Sequence, residues 1–530
     1  MSEQTRSRSA AAESRTATPV RGGQPVVGPR RNDGIRAYFR NSLYPGGVSR
    51  VVGLVVAWLA FGLIRFVMPV PDGMTPAGKA TLAVVAWACL MWVFEAVPVG
   101  VTGLVIPMML VMAGVFTDPA KALAGFTQQE IFLALSAFIL AAAMHLTGLD
   151  RKLAGGILSK LRIKTATGAC VGMLITNTVL AFVIPAAVAR AATLLPIVTG
   201  MREFLGKSPE ANRAVKGLVI FGLVYAPMIS GLFLLTAHLP NLIITRAVAK
   251  DTGVQIGYGE WFALNWVYML MVIPLLLWTS WLFKTGRAGF DLPATAGTSS
   301  GSLNGSSPGS DDPDDQRPGL RGQQIAVLCV FAVVAAGWAF LQGISPGMVG
   351  LFGVLLLFTP GLLRLDWKTV QANTMWGSFL LLGGALSLTL AMTETGTGKY
   401  LATKAAPLAL GQGWLVTLLI FMVVTRVIRL GMLSNVAAVA LLAPVLIPLG
   451  ETVHLNPIAF TLVIANLDTF AFILPTQISA AVIAYGTGTF TMKDYAKSGT
   501  VAVLIAIVFS LVIVVPWYAF MGFPIWAPIH

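Results

Sequence analysis

Charge is what this chain lacks: of 530 residues, only 11% are Asp, Glu, Lys or Arg, while 56% are hydrophobic. A water-soluble domain needs a charged shell, so a mean hydropathy of +0.79 excludes one and points to a membrane protein. Cysteine is scarce too. Cys89, Cys170 and Cys329 fall in apolar runs without metal-ligand spacing and read as small buried hydrophobes. The four histidines, His145, His238, His454 and His530, form no zinc pattern. Neither His-Glu-x-x-His nor a pair of carboxylates stands within the apolar runs, so an intramembrane enzyme is disfavoured and no cofactor is implied.

Basic residues are in excess, with a net charge of +14. Nine of the arginines lie in residues 1–50, without aromatic interleaving and without the apolar core of a signal peptide. That segment reads as a disordered basic cytoplasmic tail, not a nucleic-acid-binding surface.

Beyond the tail, apolar runs of a length suited to about 30 Å of hydrocarbon recur to the end of the chain. Eleven read as transmembrane helices: 51–68, 80–97, 101–116, 131–148, 217–235 (running on brokenly to 248), 262–283, 323–341, 348–363, 375–393, 457–485 with a break, and 499–520. Two more, 165–198 and 412–449, are long and carry polar breaks, Thr176-Asn177-Thr178 and Ser434-Asn435-Val436. These read as re-entrant hairpins with the polar residues at their tips. The expected fold is an all-α polytopic membrane protein.

Residues 294–322 form a Gly/Ser/Pro/Asp stretch that reads as a disordered linker, dividing the chain into halves at 51–293 and 323–530. The halves align: Val97-Pro98-Val99-Gly100-Val101-Thr102-Gly103 with Ile344-Ser345-Pro346-Gly347-Met348-Val349-Gly350, then Phe132-Leu133 with Phe379-Leu380. With the hairpins re-entrant, 26 of the 36 Lys and Arg residues fall on one side, 6 on the other and 4 at membrane depth. By the positive-inside rule the N-terminus is cytoplasmic and the C-terminus outside, and the halves are inverted. Inverted repeats with discontinuous helices characterise secondary transporters.

Each half holds a second break: Ser230-Gly231 leading into Thr236-Ala237-His238-Leu239-Pro240-Asn241, and Asp468-Thr469 leading into Pro475-Thr476-Gln477-Ile478-Ser479. Broken helices leave N–H groups that suit an anion and carbonyls that suit a cation. The alternative is that these Ser, Thr and Asn residues only join helices to one another. Arg426 and Arg429, eight and five residues before the second polar break, either neutralise a dianion or pair with Glu394 or Asp468. Asp468 either contributes to cation binding or is ion-paired.

These residues resemble the divalent anion/sodium symporters, a family with a Ser-Asn-Thr motif at each hairpin tip and a Thr-Pro-Pro-Asn-like segment in each unwound helix. The resemblance runs from about Val51 to Phe523. It implies that Asn177, Thr178, Ser434 and Asn435, with Thr236 and Thr476 from the breaks, contact substrate carboxylates. It further implies sodium sites around Thr176, Asn177 and Ser230 in one half and Ser434, Asn435 and Asp468 in the other. The expected activity is sodium-driven uptake of a small divalent anion, most simply a C4 dicarboxylate, by a homodimer in the cytoplasmic membrane. Departures are visible: Thr176 replaces the first Ser, Val436 replaces the final Thr, and the Pro-Asn pattern is partial. They keep open a sodium-independent exchanger of the same fold.

Overall fold

A computed structural model describes residues 47–161, 163, 165–204, 208–286, 318–341, 344–430, 432 and 434–527. The tail up to residue 46 and the linker over 294–317 lie outside the described residues. Two boundaries are corrected: a helix already runs over Gly47–Gly62, and the last five residues of the expected linker open the helix Pro318–Phe340. Pro318 is tolerated there because the first turn of a helix has no use for its missing N–H.

Each of the eleven expected spans coincides with helix. Among the described residues, eight helices are long and apolar enough to cross a membrane, and five shorter apolar ones accompany them. An 18-residue apolar window of Pro209–Leu232 is 94% shielded by protein, whereas the 50–67 span is 17% shielded and turns most of its Val and Leu side chains outward. The second half has its own shielded element, Pro457–Asp468, in which every residue is buried. A helix hidden this completely is not there to meet lipid, and both hidden helices lead directly into the unwound segments.

The two halves are interlocked through exchanged crossings. Val99–Met112 of the first half packs on Trp376–Glu394 of the second, and Pro346–Leu357 of the second packs on Gln129–Leu146 of the first. Glycine makes both possible. A Cβ on Gly103 would lie 2.5 Å from the Leu380 carbonyl oxygen, and one on Gly384 only 2.0 Å from that of Gly103. At the repeat-related crossing, a Cβ on Gly347 would lie 2.7 Å from the Gln129 carbonyl oxygen. Gly100 and Gly103 correspond to Gly347 and Gly350 in the sequence repeat, so the same small-residue surface is used twice.

The first polar break is corrected. Thr176, Asn177 and Thr178 do not form a tip; they lie inside the helix Ala166–Ala181. Thr176 Oγ1 donates to the Gly172 carbonyl (2.8 Å) and Asn177 Nδ2 to the Met173 carbonyl (2.9 Å), so both return a proton four residues back without ending the helix. The interruption instead covers 182–186, where Pro185 cannot donate and restricts Ile184 before it. The second break stands where expected: Trp414–Arg429 ends, and Ser434 caps Asn435–Thr452 by accepting from the Ala437 N–H.

Residues 343–347 read Gly-Ile-Ser-Pro-Gly, the letter pattern of a hydrolase nucleophile elbow. Ser345 is a helix cap for Pro346–Leu357, its hydroxyl accepting from the Met348 N–H, and no histidine bonds it among the described residues.

The glycine crossing sets a test. Gly384→Ala puts a methyl against backbone and should destabilise the fold by about 1–3 kcal/mol. At Gly377, where an added Cβ meets nothing within 4 Å, the same change should be neutral. Thermal unfolding of the two purified variants distinguishes them.

Candidate anion and cation site

Two unwound segments carry the site, and they share one geometry. Leu235–Ala237 is a short 3-10 turn flanked by extended Leu234 (φ −108°, ψ 133°) and His238 (φ −150°, ψ 123°). Pro475–Gln477 is its counterpart, flanked by Leu474 (φ −117°, ψ 138°) and Ile478 (φ −140°, ψ 136°). Residue for residue, Ala237 therefore corresponds to Gln477, and Thr236 to Thr476.

Unwinding frees carbonyls that have no water to turn to, so protein donors must find them. In the first half Asn241 Nδ2 serves Gly231 O (3.1 Å) and Leu234 O (2.9 Å), and Trp261 Nε1 serves Leu232 O (2.9 Å). In the second half Gln477 closes its own turn: Oε1 accepts from the Leu474 N–H (2.8 Å) and Nε2 donates to Arg429 O (3.1 Å).

Arginines complete the satisfaction. Fully buried Arg190, on the helix Ala187–Phe204, donates from Nη1 to Ile184 O (2.6 Å) and Ala237 O (3.1 Å), and from Nη2 to Pro227 O (2.6 Å). Arg429 donates to Met432 O, to Asn435 Oδ1, and to Gln477 O (2.8 Å). Arg426 donates to Leu467 O (2.8 Å) and pairs with Asp468 (2.7 Å), whose other oxygen lies 3.3 Å from Arg429 Nε. An arginine at bilayer depth costs about 2.5–3.5 kcal/mol on insertion scales. Charge-assisted hydrogen bonds worth about 1.5–3 kcal/mol each offset that cost.

The two halves meet at Asn435. Its Nδ2 lies 3.3 Å from His238 Nε2 and 3.7 Å from Met228 Sδ. Arg429 only donates, which fixes Oδ1 of Asn435 toward it and turns Nδ2 to the imidazole. His238 Nε2 is therefore the acceptor, and the ring is neutral with its proton on Nδ1. That Nδ1 is buried and has no hydrogen-bond partner among the described residues. Asn435 opens the helix Asn435–Thr452 and His238 caps Leu239–Thr252, so two positive helix ends converge at this contact.

The expected site residues thus separate. Ser434, Asn435, Arg426, Arg429 and Asp468 lie at or beside the second break. Asp468 is paired with both arginines, the ion-paired alternative of the sequence reading, and Glu394 instead meets Lys250 (3.3 Å). Ser230 Oγ donates to Ala226 O (2.7 Å), and Thr236 Oγ1 meets the Tyr258 hydroxyl (3.3 Å). Thr476 is exposed at its turn. Thr176, Asn177 and Thr178 stay on their helix, where Asn177 Nδ2 also bonds Gly222 O (3.1 Å) in the π-turn Phe221–Tyr225; Asn177 Oδ1 and Thr178 Oγ1 are buried without partners among the described residues. Arg190 is the participant that sequence reasoning did not assign. The available signal was a lone arginine in an apolar run.

Residues 49–523 match the family described as the sodium:sulfate symporter transmembrane region. A membrane protein of Cupriavidus necator is 27% identical over 89% of this chain and 93% of its own length. The sodium-dependent dicarboxylate transporter SdcS of Staphylococcus saprophyticus is 25% identical over 88% of this chain and 91% of its own. Among solved structures, the YdaH transporter of Alcanivorax borkumensis superposes with a TM-score of 0.51 at 15% identity, covering 84% of this chain and 99% of that one, a likeness of fold.

Asn177 tests the reassignment of the first polar triplet. Asn177→Ala removes the bond to the π-turn carbonyl and leaves that acceptor buried, which should destabilise the fold by about 1–3 kcal/mol. The loss should register as a lowered unfolding temperature of the purified protein.

Proposed function

The chain belongs to the sodium:sulfate symporter family, and on that premise we propose that it is a secondary active carrier of a small divalent anion, preferentially a C4 dicarboxylate, working by alternating access. It is an integral membrane transporter of the anion/dicarboxylate class and not an enzyme. The observation that carries the finer reading is the meeting of the two halves at Asn435 and His238, beside three buried arginines. Convergent helix ends, an unpartnered imidazole N–H and guanidinium charge at one place suit carboxylates, and two carboxylates suit a site built from two related halves.

In this mechanism the substrate bridges the elements that unwind. The hidden helices Pro209–Leu232 and Pro457–Asp468, with the broken pairs packed around them, move as a body against the glycine-locked scaffold, carrying the bound anion between the two membrane faces. Asn435 binds through its amide, and Arg429 orients Asn435 through Oδ1. Ser434 holds the second break through its cap. Thr236 and Thr476 stand at equivalent positions of the two turns, where they bracket the substrate. Sodium as the driving ion is what the family description and the SdcS relatives carry. The sodium-independent exchanger is favoured by one observation, the engagement of the break carbonyls by arginine.

Counterflow in proteoliposomes tests the substrate class. Vesicles preloaded with succinate should accumulate labelled succinate, and external malate should compete while acetate should not. Asn435→Ala should abolish this exchange while the protein still inserts and purifies as a folded species. Wild-type exchange in that variant, or indifference of the transporter to every dicarboxylate tried, would refute the assignment.

A further inference from the structure

We propose that the side-chain oxygens of Tyr268, Asn466 and Ser510 form a buried site for one water molecule, which joins the two halves at the root of the second unwound segment. The site lies apart from the residues assigned to the anion, and its ligand is neutral.

Five side chains with no solvent exposure make up the node. Asn265 and Tyr268 come from the span Tyr258–Phe283, Ser510 and Tyr518 from the span Met492–Phe520, and Asn466 from the hidden helix Pro457–Asp468. The two spans hold equivalent places, each following the unwound helix of its half. Both depart from the α-helix at the node. Tyr268 belongs to a 3-10 turn, Trp266–Met271, and Ser510 opens a π-turn, Ser510–Val514. An overwound turn and an underwound one re-aim side chains that a regular helix would direct elsewhere, and π-turns concentrate at functional sites.

Each proton inside the node has an identifiable destination. Asn265 Nδ2 donates to the Trp261 carbonyl (3.0 Å), so its Oδ1 faces the node as an acceptor. That oxygen receives Asn466 Nδ2 (2.7 Å) and the Tyr518 hydroxyl (2.9 Å), and Asn466 Nδ2 also donates to the Tyr518 oxygen (3.2 Å). Both amide hydrogens of Asn466 and the hydroxyl hydrogen of Tyr518 are thereby used. Three oxygens are left over. Asn466 Oδ1, the Tyr268 hydroxyl and the Ser510 hydroxyl are buried and have no hydrogen-bond partner among the described residues. They belong to one cluster, since the Tyr268 hydroxyl faces Ser510, Asn466 and Tyr518 while bonding directly to none of them.

Three unmet polar groups at one place are costly in an apolar bundle. Water is the ligand whose chemistry fits. It donates to Asn466 Oδ1, which only accepts, and shares its remaining bonds with two hydroxyls that both donate and accept, the pattern of a buried water with about three partners. A cation would enter with a charge that none of these five neutral side chains answers.

Position gives the water a task. Asn466 stands two residues before Asp468, the partner of Arg426 and Arg429, and the Tyr268 ring lies 6.1 Å from that of Phe470 in the unwound stretch. Through the water, a span of the first half holds the end of the second half's hidden helix where its backbone unwinds.

Three measurements on the purified full-length protein test this. In thermal unfolding, Tyr268→Phe and Ser510→Ala should each lower the midpoint by a few degrees, as loss of a partner from a satisfied group does. Thr461→Val, which removes a buried unmatched hydroxyl five residues before Asn466 on the same helix, should not lower it. Dry, unmet hydroxyls would instead leave the midpoints of both node variants unchanged or raised, and that result would overturn the proposal, as would a fall at Thr461 equal to those at the node. A density map of the wild type fine enough to show ordered waters should hold one peak within hydrogen-bonding distance of all three oxygens. Direct contact among the three oxygens, with no peak between them, would refute the assignment. If neither node variant folds, the map decides. A sodium-specific rise in the wild-type midpoint that is absent from Ser510→Ala would identify the ligand as a cation and overturn the assignment of water.

Discussion

Unwound backbone inside an apolar bundle has carbonyls that must be answered by the protein, and everything particular about this molecule follows from how they are answered. Unbroken helices satisfy their own backbone polar groups along most of their length, so backbone ligands at the centre of such a protein require breaks. This chain breaks four helical runs near one place. Each break exposes carbonyls and N–H groups, and the carbonyls are met by amides from Asn241 and Gln477 and by guanidinium groups from Arg190, Arg426 and Arg429.

The scaffold and the site impose opposite requirements. At the exchanged crossings, glycines allow backbones to touch, with no room there for a side chain. Around the breaks, contact is made instead by long side chains reaching across to carbonyls, a kind of contact that can be made and released without rebuilding a packed surface. Tight glycine crossings and longer-reaching polar contacts thus coexist within one bundle.

Sequence and structure disagree most instructively at the first polar triplet. Thr176-Asn177-Thr178 has the composition of a tip, and its match to Ser434-Asn435-Val436 invited the same placement. Composition does not decide it, because Ser, Thr and Asn are satisfied within a helix by the carbonyl four residues back, as Thr176 and Asn177 are. Pro185 decides it, since a proline has no such option. At the second break Ser434 found a cap partner in the Ala437 N–H, and the expected position held.

Hydropathy alone determined that this is a many-helix membrane protein, and the recurrence of Gly-x-x-Gly and of polar breaks raised the expectation of two related halves, because both are properties of spacing along one chain. Which charges serve which carbonyls was decided only in three dimensions. Arg190 and Ala237 stand 47 residues apart, and Asn435 and His238 stand 197 apart. No local pattern links them, since a guanidinium at the end of a flexible stem reaches whichever carbonyl the packing of distant helices brings to it.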